Sequence, residues 1–175
     1  MEFEKVIKTR QATRKFTNKK VSNELIEKIL ASGRIAPTAK NNQPQVIYVI
    51  ETTDSLKKID KVTPCRYGAQ ACLLICSDKN IAWSKDEYST YEMDATIVAT
   101  HMMLEATNLG IDNIWIRNFD RKEVQKEFSL SDNIIPICII PLGYKEENHQ
   151  SPFHNQRKEL SETVKYIWGI INYEY

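Results

Sequence analysis

Apolar positions along the chain fall into two patterns, helical spacing and short continuous runs, and the two are interleaved from end to end. Phe3, Val6 and Ile7 make one or two helical turns with an inward apolar face. Leu25, Ile26, Ile29 and Leu30 predict a helix over Asn23–Gly33, with Ser22 as its N-cap, Glu24 favouring its start and Gly33 as its stop. Val46 to Ile50, within Gln45–Glu51, reads as a buried strand, and Ala71–Cys76 as a second central one. Between them Thr53-Asp54-Ser55 caps a short helix through Ile59, and residues 62–70 read as irregular. Met93–Gly110 is the clearest helix, with Ala95, Ala99, Met102, Ala106 and Leu109 forming one stripe. Ile97, Val98, Met103 and Leu104 widen that stripe until little of the helix is polar, which places it in a core or a subunit interface. Gly110 ends it at the C′ position.

Asn113–Ile116 predicts a third strand, and Pro136–Leu142, apolar throughout, a fourth. Asp120 and Glu123 form a capping box that opens a helix through Phe128. This mixture gives an α+β fold. Residues 78–92 are polar and mixed, and 145–159 polar and irregular. The tail 160–175 is apolar for a terminus, with Val164, Tyr166, Ile167, Trp168, Ile170, Ile171 and Tyr173, so it is expected to pair with something.

Composition changes this picture little. The 175 residues suit one domain with a proper core, and 42% hydrophobic with 27% charged residues are ordinary for a globular protein. A formal net charge of +1 gives no whole-protein field toward nucleic acid or an anionic membrane, so anion binding has to be local. No apolar run approaches the roughly 20 residues of a membrane span. Met1-Glu2-Phe3-Glu4-Lys5 lacks the pattern of a signal peptide, which makes the cytoplasm the default location. Cys72, Cys76 and Cys138 lie in apolar runs and Cys65 in a polar stretch, with no CxxC pair and no His at metal-ligand spacing, so neither disulfide nor metal is expected.

The candidate chemistry begins with Arg10-Gln11-Ala12-Thr13-Arg14-Lys15-Phe16. Arg10 and Arg14 are four apart, so a helical turn continued through this run would put both guanidiniums on one face, an arrangement suited to a phosphate. Taken alone, the run is more readily a solvated basic patch. Ala36-Pro37-Thr38-Ala39-Lys40-Asn41-Asn42-Gln43-Pro44 is a turn-rich segment with exposed hydrogen-bonding groups, entering the first strand.

Four stretches in order carry a resemblance: RQATRKF at 10–16; APTAKNNQP at 36–44; DATIVATHMMLEATNLG at 94–110 with WIRNF at 115–119; and IPLGY at 140–144 with RKELSETV at 157–164. The chain resembles the nitroreductase family of FMN-dependent oxidoreductases. The resemblance implies a homodimer with flavin at the interface. It also implies a mainly antiparallel four-stranded sheet flanked by helices, completed by a C-terminal strand from the partner. The chain would then be one domain, 1–175, with 160–175 exchanged.

Carried over residue by residue, Arg10, Gln11 and Arg14 match the first flavin-contacting motif, with Arg10 at the phosphate and Arg14 toward the pyrimidine side. Ala12 stands where the family often has Ser, which leaves Thr13 as a possible replacement hydroxyl. Pro37, Thr38, Ala39 and Asn41 match the segment that covers the partner's flavin, and Arg157 with Lys158 the cation that closes on the phosphate. Arg117 and Asn118 match the pair whose backbone faces the reactive edge of the flavin, although many relatives carry Gly there. The flavin would be the reactive centre, tuned by Arg14 and an Asn118 backbone N–H, with no side chain needed as general acid. The implied activity is NAD(P)H-dependent reduction of nitroaromatics, quinones or related acceptors by a ping-pong mechanism. The alternatives are a relative that performs dehalogenation or enone reduction, a flavin-binding module with little turnover, and a phosphate-ligand binder without flavin. Residues 78–92 are a candidate substrate lid.

Overall fold

The structure is a computed structural model that describes residues 1–147, 151 and 153–167. Its elements in order are helix α1 (Phe3–Thr9), α2 (Asn23–Arg34), strand β1 (Gln45–Ile50), α3 (Thr53–Val62), β2 (Ala71–Asp78), β3 (Ser84–Lys85), β4 (Tyr88–Ser89), α4 (Tyr91–Asn108), β5 (Asp112–Asn113), α5 (Arg121–Glu127), β6 (Ile134–Gly143) and α6 (Leu160–Thr163). One sheet has the order β1-β2-β6-β5 with every pair antiparallel, and β3 with β4 forms a separate hairpin. The expected α+β architecture, an antiparallel sheet flanked by helices, is the one observed. Trp168 to Tyr175 and His149 lie outside the described residues, and with them half of the expected exchanged tail 160–175.

The continuous apolar run of β2 follows from its position, because both of its faces are covered. Leu73 and Ile75 face one cluster, with Ile26 and Ile29 of α2 and Val98, Ala99 and Met102 of α4. Cys72, Leu74 and Cys76 face the other, with Leu56 and Ile59 of α3 and Val124 of α5. A strand buried on both sides needs apolar residues at every position, so alternation vanishes. Leu73 pairs with Ile140 and Leu74 with Ile139, and the register shifts between Ile75 and Cys76, opposite Cys138 and Pro136. The bulge lies where Pro136, which has no N–H to give, enters a central strand.

Several local signals behave differently from the sequence reading. Gly33 is not the stop of α2 but a contact point inside it: an added Cβ would lie 2.8 Å from Met102 Cγ and Sδ and 3.3 Å from Val98 Cγ1. The glycine lets α2 approach α4 closely. Ser22 occupies the N-cap position without a side-chain hydrogen bond. For α3 the cap is Thr52, whose side chain accepts from Ser55 N–H while Ser55 Oγ receives the Thr52 N–H. Asp120 accepts from the N–H groups of Lys122 and Glu123, the forward half of the expected box. Gly110, at φ +76°, ends α4 as its position in the sequence predicts.

The basic run 10–16 shows the largest difference. Helix α1 ends at Thr9, and the chain then leaves the helix and pairs with distant backbone. Thr13 N–H donates to Asn113 O (3.1 Å), Phe16 N–H to Tyr67 O (3.1 Å) and Thr17 N–H to Tyr144 O (2.8 Å). The Phe16 ring closes over Gly143, where an added Cβ would be 2.9 Å from Phe16 Cδ1. Tertiary pairing with β5, β6 and the 63–70 loop therefore overrides any continuation of the helix. Among the described residues no helix is long and apolar enough to cross a membrane.

Gly33→Val should lower unfolding free energy by about 1–3 kcal/mol through overpacking against Met102 and Val98, read from the urea midpoint. A midpoint equal to wild type would show that α2 and α4 are not in close contact there.

Candidate flavin site

Leaving the helix separates the two arginines that a helical turn would have stacked. Four residues of helix bring side chains within about 6 Å, whereas four extended residues span up to about 13 Å. Arg10 and Arg14 consequently serve two different places. Arg10, at the C-cap of α1, is half-buried. Burial, and then the charge of Arg157, hold its guanidinium below its ordinary pKa. Arg157, more than a hundred residues away in sequence, is itself held by donating to Phe153 O (3.1 Å) and Gln156 O (2.7 Å). Arg157 also lines a hollow of about 360 Å³ with Lys8, His154 and Asn155. No described ion pair includes Arg10 or Arg157. Like charges within electrostatic reach of one another raise each other's energy, and an anion bound near both offsets that cost.

Arg14 goes elsewhere. Its Nη1 reaches Ser151 Oγ at 3.5 Å, and Ser151 N–H donates to Gln11 Oε1 at 3.1 Å, so the buried Ser151 joins two residues of the basic run. Arg14 also acts on Cys65 and Tyr67. Asn118 Nδ2 faces Cys65 Sγ at 3.7 Å. Gln11, Arg14, Cys65, Tyr67, Asn118 and Ser151 thus converge from four separate stretches. Arg117 is exposed, with its guanidinium 5.1 Å from the centre of the Phe119 ring. Lys158 is exposed beside Arg157. Thr13 is 0% exposed, and its Oγ1 meets no hydrogen-bond partner among the described residues. Ala12 meets Asn113 in an isolated parallel bridge.

Pro37, Thr38, Ala39 and Asn41 belong to a different stretch, between α2 and β1. They are anchored on α4 and the hairpin, through Ala39 N–H to Asp94 Oδ1 (2.9 Å) and Asn42 Nδ2 to Ile81 O (2.9 Å). No described hydrogen bond or ion pair links them to Arg10 or Arg14. Residues 78–92, unplaced by the sequence, run from the end of β2 through the β3–β4 hairpin into α4, with Trp83 and Tyr88 rings edge to face at 6.3 Å.

Sequence reasoning passed over Ser151, Cys65, Tyr67 and Asp94. Only Cys65 carried a signal, as the one cysteine outside an apolar run. Burial pushes the Cys65 thiol up, but hydrogen bonds with Tyr67, Asn118 and Thr63 and the charge of Arg14 outweigh it, leaving the pKa below its ordinary value. Tyr67 is raised, first by its hydrogen bond with Cys65 and then by burial. Burial pushes Cys72 and Cys76 up to about 12, and Cys138 well above its ordinary value. Among the described residues no group of three or more His, Cys, Asp or Glu could hold a metal ion.

Iodoacetamide should therefore alkylate Cys65 in the native protein, with the rate already rising below the ordinary thiol pKa because the thiolate is the nucleophile. Cys72, Cys76 and Cys138 should react only after unfolding. Peptide mass spectrometry across a pH series reads both; a Cys65 no faster than the other three would contradict the assigned environment.

The fold agrees with the comparisons to known proteins. A family model described as the nitroreductase family matches residues 7–64 and 64–144. A protein of Methanothermobacter thermautotrophicus named "Putative NADH dehydrogenase/NAD(P)H nitroreductase" is 31% identical over 157 residues, 85% of this chain and 80% of its own length. The crystal structure of a nitroreductase family protein from Clostridium difficile 630 superposes with TM-score 0.90 at 38% identity, covering 95% of this chain and 98% of that one. A nitroreductase family protein from Clostridium novyi NT gives TM-score 0.77 at 25% identity, over 84% of this chain and 87% of that one. The chain belongs to the nitroreductase family of oxidoreductases.

Proposed function

We propose that the chain is an FMN-dependent NAD(P)H oxidoreductase that works as a homodimer and reduces nitroaromatics, quinones or related small acceptors. The observation that carries this reading is the basic run, with half-buried Arg10 at one end and Gln11 and Arg14 joined through Ser151 at the other, in a chain of the nitroreductase family; neither Arg10 nor Arg157 has a described carboxylate partner. Their chemistry fits a terminal phosphate, which a planar guanidinium can grip through two parallel hydrogen bonds. Lys158 adds charge at the same end. The nicotinamide dependence follows the printed name of the Methanothermobacter relative.

When bound, FMN would supply the redox chemistry, accepting two electrons from a nicotinamide and passing them to a second substrate at the same site, which is a ping-pong sequence. The chain's own residues position and tune. Gln11, its Oε1 fixed by Ser151 N–H, and Ala12 line the path from the phosphate end to the ring end. Arg14 lies where a positive charge stabilises negative charge developing at the pyrimidine edge. The backbone of Arg117 and Asn118 would face the reactive edge, where a main-chain N–H survives side-chain substitution. Pro37, Thr38, Ala39 and Asn41 would cover the flavin of the partner subunit, as the family resemblance implies. Exposure of Leu160 at 77%, Val164 at 39% and Ile167 at 97% supports exchange of the tail 160–175, because these apolar groups then gain cover in the dimer.

Arg10→Ala and Arg157→Ala should each weaken FMN binding about tenfold or more, the loss of a hydrogen bond to a charged group, while riboflavin, which has no phosphate, should bind both variants as it binds wild type. Fluorescence titration reads this, and equal FMN affinity in all three proteins would remove the phosphate assignment. Deleting residues 163–175 should lower the dimer fraction and flavin retention together in sedimentation; an intact, flavin-loaded dimer would remove the exchanged tail.

A further inference from the structure

Residues 38–43 hold three left-handed backbone positions without a glycine. Lys40, Asn41 and Gln43 have φ of 51°, 56° and 52°. L side chains rarely adopt this region, and it persists where the surroundings over-determine it. Four contacts do so here. Gln43 N–H donates to Thr38 Oγ1 at 3.0 Å, Asn42 Nδ2 to Ile81 O at 2.9 Å and Ala39 N–H to Asp94 Oδ1 at 2.9 Å. The fourth is the Lys40 ammonium, 5.8 Å from the centre of the Trp83 ring.

The other end of the same network is the hairpin. Thr90 N–H donates to Trp83 O at 2.9 Å, and Thr90 Oγ1 lies 2.7 Å from Asp94 Oδ2 and 3.2 Å from Trp83 O. Both elements therefore end on one carboxylate, the segment on Oδ1 and the hairpin on Oδ2. Asp94 is 2% exposed, and no described ion pair includes it. Its place in the first turn of α4 puts it at the positive end of the helix dipole. A buried carboxylate with two donors at a helix start is a held anchor rather than a solvated charge.

We propose that Asp94 is a positioning residue that locks the segment 37–43 and the hairpin 83–90 into one unit, one carboxylate oxygen gripping each. The consequence for flavin rests on the reading of 37–43 as the flavin-covering segment. Movement of the hairpin, the candidate lid, would then be transmitted to the flavin contact through a single side chain. The conservative replacement is Asn. Its Oδ1 keeps the Ala39 N–H, and its Nδ2 can donate to Thr90 Oγ1, whose proton turns to Trp83 O. Leu removes both acceptors.

Hydrogen exchange on the full-length protein without added flavin reads the lock directly. Asp94→Leu should speed exchange about tenfold or more in peptides from 37–43 and 83–90 together, and Asp94→Asn should restore most of the protection. In FMN titrations, Asp94→Leu should bind about tenfold more weakly and Asp94→Asn within about threefold of wild type. With the flavin saturating, acceptor KM should rise in Asp94→Leu while kcat holds. Thr90→Val serves if Asp94→Leu does not fold; it should loosen 83–90 strongly and 37–43 measurably. Loosening of one segment alone, or of neither, overturns the lock. Unchanged FMN affinity after both have loosened overturns its link to the flavin. A wild-type protein that takes up no FMN overturns the flavin reading instead, and the exchange data still decide the lock.

Discussion

Everything proposed for the site depends on the backbone hydrogen bonds that tie residues 13–17 to Asn113, Tyr67 and Tyr144. These bonds stop α1 from continuing, stretch the basic run across the ends of β5 and β6, and aim Arg10 and Arg14 at different places. The Phe16 ring on Gly143 seals that attachment from the apolar side. With the run helical, the two guanidiniums would compete for one small anion. With it extended, they reach different places, as the proposed ligand with a charged end and a distant polar edge would require.

The sheet supplies the rigidity this arrangement needs. β2 and β6 are paired over nearly their whole lengths and covered on both faces by helices, so loops at their ends start from fixed points. Arg117 and Asn118 follow directly on Ile116, which bridges to Ile139 of β6. With a formal net charge of +1, anion affinity would have to be built by local geometry rather than by a general field, and half-buried Arg10 within the field of Arg157 is the arrangement proposed to supply it.

Most of the fold was legible because its signals are local. The apolar runs of β1, β2 and β6, the stripe of α4 and Gly110 at its end each depend on a few consecutive residues. Gly33 was misread because a stop and a close helix contact leave the same mark in sequence, and only Met102 on α4 tells them apart. The helical reading of Arg10 to Arg14 failed for a related reason, since the competing hydrogen bonds come from residues 50 to 130 positions away. The motifs gave the cations, but not Ser151 joining Gln11 and Arg14, nor Cys65 beneath Asn118, nor Asp94 beneath Ala39. Those pairs exist only once the chain has folded.

Family membership accounts for the motifs and the sheet order together, and the central functional proposal is that this chain holds FMN and exchanges electrons with it. The most direct measurement is the visible absorbance spectrum of the purified protein reconstituted with FMN and freed of excess, followed by anaerobic addition of NADH or NADPH. The account predicts retained flavin bands that bleach on addition of one of the two and return with a quinone or nitroaromatic acceptor. Protein that retains no FMN, or flavin bands that neither nicotinamide bleaches, would contradict it.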